Sequence, residues 1–471
     1  MKNPSPGDAG LSSLPSLRDG VANLQRRHVV RATYRAQPMS PLITRSVKSA
    51  GPNSCLRGEG ASLKHWVGSR LAWSVVAFLW FTFLLNYADR QLVFSIFPML
   101  RRDLGFTDAK LGLIGSLFIW TYSLCMPLAG WLADRIRRER MILLSLILWS
   151  LATLGTAVSR TVPDVLFWRI LMGITESLYA PAALGLIGLL HSESNRSTAL
   201  SVHGSAQFAG IVCGAWYGGW IADHWGWRAG FVSLAVVGVA YAVVLALVCQ
   251  RIPVLTTETT TAPAKPAEIF HSRCYLVLIL VFVSFGTMQW MLYVWLPDFI
   301  HEQYRLTLAQ SGLSATLYLQ TGSVAGLLVS GALADRLTAR VAAARFYIVG
   351  VALLLCAPFA YFTLAVHRLA LLKLCAASFG FFAGFLMVNT FAAAYDVTSR
   401  RNFGFATGIL NGLPGAASGA AIFLVGALKQ SVGIVQIMSY GAAAAILCAG
   451  FALVTAALRF DQEHCSARKE R

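Results

Sequence analysis

Charged residues are scarce in this chain of 471 residues. Asp, Glu, Lys and Arg make up 13% of it and apolar residues 56%, whereas soluble domains average about 25% and 45–50%. This composition excludes a soluble globular protein. Acidic residues are the scarcest: 21 stand against 39 basic ones, for a formal net charge of +18. In a polar chain that excess would indicate nucleic-acid binding, but the long apolar runs exclude this, and no nucleic-acid partner is expected.

The chain also lacks the signatures of metal sites and of common enzymes. Its nine cysteines are an odd number, lie mostly inside apolar runs and form no CxxC pair, so we expect neither a disulfide framework nor a metal site. No nucleotide-binding loop, GxSxG motif or HExxH motif occurs. We therefore predict a protein that is not an enzyme and that uses no cofactor and no metal.

Apolar runs long enough to cross a bilayer recur from residue 71 onward. They are too long and too uniformly apolar for the strands of a barrel, so they predict membrane-spanning helices. The predicted fold is an all-α polytopic membrane protein with twelve transmembrane helices. The spans cover about residues 71–97, 108–133, 141–159, 164–190, 198–222, 229–250, 275–297, 309–333, 343–365, 369–395, 404–427 and 433–458.

The spans divide the chain into five segments. Residues 71–250 and 275–460 each hold six spans, and 251–274, rich in Thr, Pro and Ala, is predicted to be a flexible linker. Residues 1–70 are predicted to be a disordered basic extension, although a later translation start or a targeting peptide would also explain them. Residues 461–471 form a tail.

Lys and Arg are distributed unevenly between the two sides of the predicted membrane. With the N-terminus inside, the inner segments after the first span hold seventeen of them and the outer loops hold eight. The positive-inside rule favours this orientation. We therefore predict an integral protein of the cell (inner) membrane, with both termini and the linker in the cytoplasm.

One short motif occurs in both halves of the chain. Gly130–Arg135 reads GWLADR after the second span, and Gly331–Arg336 reads GALADR after the eighth. Two six-helix halves with the same orientation imply a pseudo-twofold axis along the membrane normal. A cavity is then expected between the halves near the midplane.

Three glycines follow each other at four-residue spacing in the fifth span: Gly210, Gly214 and Gly218. In a membrane, small residues at this spacing let two helix backbones approach closely. We expect the fifth span to pack tightly against a neighbouring helix.

These motifs resemble those of the major facilitator superfamily. The segment 130–138 is similar to the superfamily signature between helices 2 and 3, with Arg137 in place of the usual Gly. The segment 86–90, NYADR, resembles the first-helix motif of the anion:cation symporters and of the Spinster-like lipid transporters, and the segment 169–181 resembles their helix-4 pattern. The resemblance implies two six-helix bundles and a membrane transporter.

Two carboxylic acids lie well within the predicted spans, Asp89 and Glu176. An ionisable group at the bilayer centre costs about 2.5–3.5 kcal/mol on insertion scales, which makes both functional candidates. We predict both as proton-coupling residues, with Glu176 as the main proton site, and the resemblance implies a coupling role for the helix-4 Glu. The alternative is a permanently paired acid that ties helices 1 and 4 together.

Three basic residues also lie at least four residues inside the predicted spans, namely Arg90, Arg169 and Lys373. Together with two acids they leave a slightly cationic path, which suits an anion. Arg90 is the candidate for binding a carboxylate or phosphate, because its planar guanidinium makes bidentate contacts and keeps its charge when buried. Arg169 is a second candidate, near the outer mouth. The alternative for Arg90 is a latch-like ion pair with Glu176.

Polar and aromatic side chains complete the predicted substrate-binding set: Tyr179, Gln207, Gln289, Tyr293 and Asn411. Gln207 and Asn411 occupy corresponding places in the two halves and could offer amides to a ligand. Packing between helices is an equally good interpretation of these residues. His203, inside the fifth span, is expected to be a packing residue.

Charged residues in the inner loops form the predicted gate: Asp134, Arg135, Arg138, Asp335 and Arg336. The resemblance implies that the Asp and Arg of the first loop take part in contacts between the halves that exist in one state and break in the other. For Arg138, anchoring by the positive-inside rule alone is the alternative.

The sequence thus predicts a secondary active transporter that works by alternating access. We expect a proton-coupled symporter of a small organic anion, a sugar acid or another carboxylate. Its expected partners are that anion, protons and the lipid bilayer, and its expected state is a monomer. The alternatives are a Spinster-like carrier of a lysolipid or other amphipathic lipid, an efflux pump for hydrophobic compounds, and a non-transporting receptor.

Overall fold

The fold is known from a computed structural model that describes residues 69–133, 135–250, 266–399 and 402–469. The predicted N-terminal extension, except for its last two residues, most of the predicted linker and Asp134 lie outside these ranges. Helices dominate the described residues, and eleven of them are long and apolar enough to cross a membrane. The prediction of an all-α polytopic fold is confirmed.

The amino-terminal half contains the first six predicted spans. Its helices are α1 Ser69–Ser95, α2 Phe97–Leu104, α3 Asp108–Ala133, α4 Arg138–Val158, α5 Val162–Ser177, α6 Tyr179–Leu190, α7 Glu193–Trp225 and α8 Trp227–Cys249. The fourth predicted span is divided into α5 and α6. The fifth is α7, a more polar helix of 33 residues that stands apart from the eleven strongly apolar ones.

The carboxy-terminal half contains the other six predicted spans. Its helices are α9 Pro266–Ile269, α10 Arg273–Tyr304, α11 Leu308–Thr338, α12 Ala344–Ala365, α13 Leu369–Asp396, α14 Phe403–Leu428 and α15 Ile434–Lys469. The last helix continues through the predicted tail. Glu463 accepts hydrogen bonds there from the hydroxyl of Ser272 (2.5 Å) and the main-chain N–H of Arg273 (3.1 Å), so the tail caps the start of α10.

Local sequence explains where several helices begin and end. Thr161 and Asp164 form a capping box at the start of α5, which satisfies main-chain donors that have no partner within the helix. The Thr307 hydroxyl accepts from the main-chain N–H of Gln310 at the start of α11. Helix α2 ends at Gly105, whose φ of 67° is left-handed and therefore favours glycine.

Small residues set the closest helix contacts. A Cβ atom on Gly210 or Gly214 of α7 would lie 2.5 Å from the main-chain oxygen of Leu84 or Ala88 in α1. The prediction of a tight glycine-mediated contact for the fifth span is thus confirmed. In the other half, a Cβ on Gly326 of α11 would lie 1.8 Å from a main-chain oxygen of α13.

The two halves meet along two helix pairs, α3 with α14 and α7 with α11. The internal repeat relates the second span to the eighth and the fifth to the eleventh, so the two contacts are pseudosymmetric. We call the end of the molecule where α3 finishes and α10 begins the linker end, and the opposite end the far end. Hydrogen bonds such as Ser116 Oγ to Gly419 O (2.6 Å) and Trp120 Nε1 to Ala416 O (2.9 Å) join the halves from mid-length outward.

Candidate functional site

A cavity of about 240 Å³ lies between the halves near the middle of the helices. Its wall is formed by α1, α3 and α7 on one side and by α10, α13 and α14 on the other. Pockets for drug-sized ligands occupy about 300–1,000 Å³. The space therefore suits a small molecule.

Arg90 supplies the positive charge of the cavity wall. Its Nε donates to Glu176 Oε2 at 2.5 Å, and the side chain is almost fully buried. The guanidinium carbon lies 4.7, 5.0 and 4.4 Å from the ring centroids of three aromatic residues, Tyr87, Phe118 and Tyr122. Cation–π contacts of this kind hold the guanidinium in place while its remaining N–H groups can bind an anion.

Glu176 lies behind Arg90 and is fully buried. It is the penultimate residue of α5, and the helix is interrupted at Leu178 before α6 begins. Pro181 explains the interruption, because a proline has no N–H to donate to the carbonyl of Ser177. Within the described part of the chain, Glu176 Oε1 has no hydrogen-bond partner. One carboxyl oxygen is therefore available to carry a proton.

Asp89 and Arg169 are buried but do not line the cavity. Asp89 points toward Trp149 and Thr153 of α4. Arg169 donates from Nε to Ile114 O at 3.4 Å, and its guanidinium carbon lies 4.9 Å from the Phe118 centroid. The position of Arg169 does not favour the predicted substrate contact, because its side chain is enclosed by the amino-terminal half.

Four of the other predicted binding residues line the cavity: Gln207, Gln289, Tyr293 and Asn411. Tyr179 does not. Its hydroxyl donates to Leu79 O at 2.7 Å and lies 3.0 Å from His203 Nε2. Tyr179 and His203 thus hold α6, α1 and α7 together, which argues against a substrate contact for Tyr179.

Much of the cavity wall is aromatic or contains thioether groups, and of these residues the predicted binding set included Tyr293 alone. Phe118, Tyr122 and Met126 come from α3, and Phe282 and Phe391 from the opposite half. Aromatic residues occur throughout the spans, so composition gave no signal for the few that face the cavity.

A cluster of charges, which we call the far-end cluster, joins the two halves. Arg101 of α2 donates to Asp298 of α10 at 2.6 and 2.7 Å and to Asp108 of α3 at 2.6 Å. Lys429 lies 3.0 Å from Asp298 and 2.8 Å from Glu302. Burial lowers the pKa of the Lys429 ammonium, but the two carboxylates outweigh this effect and raise it. The far-end cluster therefore holds the two halves together at this end of the molecule.

In the predicted topology, Arg101 and Lys429 are two of the eight basic residues of the outer loops. The available signal was Asp298 and Glu302, which lie one turn apart at the end of a span and so face the same way.

The predicted gate residues lie at the linker end. Arg135 is exposed, with its guanidinium carbon 3.7 Å from the Trp131 centroid of the same half. Asp335 and Arg336 are exposed near the end of α11, Arg138 is half-buried, and Asp134 lies outside the described residues. Hydrogen bonds and ion pairs also join described residues of one half to described residues of the other. All of these lie between the level of Trp120 and the far end, away from the predicted gate residues.

Comparisons with known proteins place the chain in a family. The Major Facilitator Superfamily profile matches residues 79–413. The chain is 26% identical to the probable sulfoacetate transporter SauU of Cupriavidus necator, over 62% of this chain and 73% of that protein. It is 22% identical to the D-galactonate transporter of Escherichia coli, over 80% and 94%.

Its fold is similar to the crystal structure of a bacterial homolog to the human lysosomal transporter Spinster in an inward-facing and unoccupied conformation. The TM-score is 0.68 at 17% identity, covering 86% of this chain and 99% of that one. The named relatives are transporters, which supports the prediction that the chain is not an enzyme. The chain belongs to the Major Facilitator Superfamily of membrane transporters.

Proposed function

We propose that the protein is a proton-coupled transporter of a small organic anion, a sugar acid or another carboxylate. The observation that carries the proposal is the pairing of Arg90, on the cavity wall, with Glu176, which is enclosed behind it. The similarity to transporters of sulfoacetate and D-galactonate supports an organic anion as the substrate class.

The pairing suggests how anion and proton are coupled. An incoming anion competes with Glu176 for the guanidinium of Arg90. Once Arg90 turns to the anion, Glu176 would be a buried charge without a partner, which is strongly unfavourable. Protonation at one of its oxygens removes that charge. Binding of the anion and protonation of Glu176 therefore favour each other.

Alternating access needs the cavity to open at one end at a time. The far-end cluster joins the halves at one end, and the hydrogen bonds between described residues of the two halves run from there to the level of Trp120. We place the linker end in the cytoplasm, as the charge distribution predicts, in a monomer of the cell membrane. The described conformation is then inward-facing, and the far-end cluster must open in the other state.

Proteoliposomes that contain the purified protein test the proposal. Glu176→Gln should abolish anion accumulation driven by a pH gradient and retain counterflow exchange, because a neutral amide mimics the protonated acid. Accumulation equal to that of the unmodified protein would remove Glu176 from the mechanism. Arg90→Ala should abolish anion binding, whereas Arg102→Ala, at an exposed arginine of α2, should retain it.

A Spinster-like lipid carrier is the second candidate, favoured by the similarity of the two folds. A lysolipid would place its headgroup near Arg90 and its chain beyond the cavity, which is too small to enclose the whole molecule. Counterflow of a labelled lysolipid, together with no counterflow of small carboxylates, would favour this candidate over the first.

A further inference from the structure

Once Glu176 is protonated, as the proposed function requires, the cavity offers a ligand one full positive charge. Arg90 is the one cationic side chain among the described residues of the wall. Arg169 is enclosed, and the Lys373 ammonium lies elsewhere, 5.1 Å from the Tyr318 centroid. A second carboxylate on the ligand would lose water without gaining a counter-charge. The charge of the wall therefore matches a ligand with a single negative charge.

Two amide groups of the wall already have partners within the protein, and further polar groups there belong to Gln207, Ser123 and Ser418. The Gln289 amide donates to the Tyr293 hydroxyl at 2.9 Å, and the Asn411 amide donates to Thr407 O of its own helix at 2.9 Å. Each hydroxyl group that lost water without gaining a partner would cost about 1–3 kcal/mol. A sugar acid carries several hydroxyl groups, so these costs accumulate.

The rest of the wall is suited to a flat apolar group. Phe282 and Phe391 meet edge to face with centroids 5.4 Å apart, and Trp290 and Tyr293 do so at 5.9 Å. Met387 adds a polarisable thioether. Aromatic rings and thioether sulfur both pack favourably against the face or edge of another ring.

From this wall, and resting on the proposed function, we infer that the substrate is a monocarboxylate with a compact aromatic body. Its carboxylate binds Arg90, and its ring packs among Phe282, Trp290 and Phe391. The cavity of about 240 Å³ accommodates one such ring, and hydroxyl groups added to that ring would lose water while facing mainly aromatic carbon.

Isothermal titration calorimetry on the purified full-length protein tests this inference with four related acids. Benzoate should bind about two- to tenfold more tightly than cyclohexanecarboxylate, which has the same size but no aromatic ring. Quinate, the same six-membered ring with hydroxyl groups added, should bind on the order of tenfold or more weakly than cyclohexanecarboxylate. Phthalate, which adds a second carboxylate to benzoate, should also bind about tenfold or more weakly than benzoate.

A matched pair of variants locates the ring. Phe391→Leu should weaken benzoate binding about two- to tenfold, whereas Phe362→Leu, at an exposed position of α12, should leave it unchanged. Tighter binding of quinate or phthalate than of benzoate would overturn the inference, and so would equal effects of the two variants.

The failure of the inference is distinguishable from failure of the proposed function. If only the inference is wrong, another carboxylate binds and Arg90→Ala abolishes its binding. If the proposed function is wrong, neither the four acids nor any other carboxylate binds in an Arg90-dependent way.

Discussion

We expect the far-end cluster to set the equilibrium between the conformation with a closed far end and the conformation with an open far end. Asp298 is the centre of the cluster, with 1% of its surface exposed. It accepts two hydrogen bonds from Arg101 and one from Lys429. Because Arg101 belongs to the amino-terminal half and Asp298 to the other, the two hydrogen bonds between Arg101 and Asp298 exist only while the far end is closed.

We expect Asp298→Asn to favour opening of the far end. The substitution keeps the shape of the side chain but removes its charge, and Arg101 retains Asp108 and Glu302 as partners. Loss of a charge-assisted hydrogen bond costs about 1.5–3 kcal/mol, and breaking a buried ion pair completely costs about 3–5 kcal/mol. Because these partners are retained, we expect the closed state to lose about 2–4 kcal/mol of stability relative to the open state, which shifts the conformational equilibrium roughly 30- to 900-fold.

Distance measurements by electron paramagnetic resonance can detect that shift. Spin labels at Lys110→Cys in α3 and Ser431→Cys after α14 lie on opposite halves at the far end and are exposed. In a background from which the native cysteines have been removed, Asp298→Asn should add a population with a longer distance. Arg102→Gln is the control, since it removes an exposed ion pair that lies within α2 and does not join the halves.

The result that would refute this reasoning is an unchanged distance distribution in Asp298→Asn. The cluster would then contribute no more to the closed state than exposed ion pairs do, which is about 0–1 kcal/mol. A shift of equal size in Arg102→Gln would contradict it too, because the effect would then reflect net charge at the far end.

Three further predictions concern other parts of the molecule. Asp89→Asn should keep pH-driven accumulation in proteoliposomes, since this side chain points away from the cavity; loss of accumulation would make it a second proton site. Gly326→Ala should lower the free energy of unfolding by about 1–3 kcal/mol and with it the thermal unfolding temperature. Gly331→Ala, with open space around its Cβ, should change neither. Glu463→Ala should lower the free energy of unfolding by about 0.5–2 kcal/mol in the same thermal measurement, because α10 loses its cap. Gln462→Ala, at an exposed position, should have no effect.

The helices were predictable because the bilayer imposes a length and an apolar composition on each span. The predicted span 108–133 coincides with α3, and others differ from their helices by a few residues. The larger differences have local causes. Pro181 divides the fourth span, and Glu463 extends the last helix into the predicted tail through its contacts with the start of α10.

The direction of individual side chains was predicted less well. Arg90 and Glu176 were recognised because charges inside a membrane are costly and therefore conspicuous in the sequence. Arg169 is equally conspicuous, yet the structure encloses it. A transmembrane helix is apolar on the faces that meet lipid and on those that meet other helices, so the pattern of apolar residues does not tell which face lines the cavity.

By itself, the sequence determined the number of membrane crossings, the repeat that relates the two halves and the few charges placed at depth. Only the tertiary structure decided that Arg90 reaches the cavity, that aromatic rings surround it and that Arg101 meets Asp298 across the halves. The physical reason is that burial in lipid constrains each helix alone, whereas rotation about each helix axis is fixed by contacts with other helices, which lie far away in the chain.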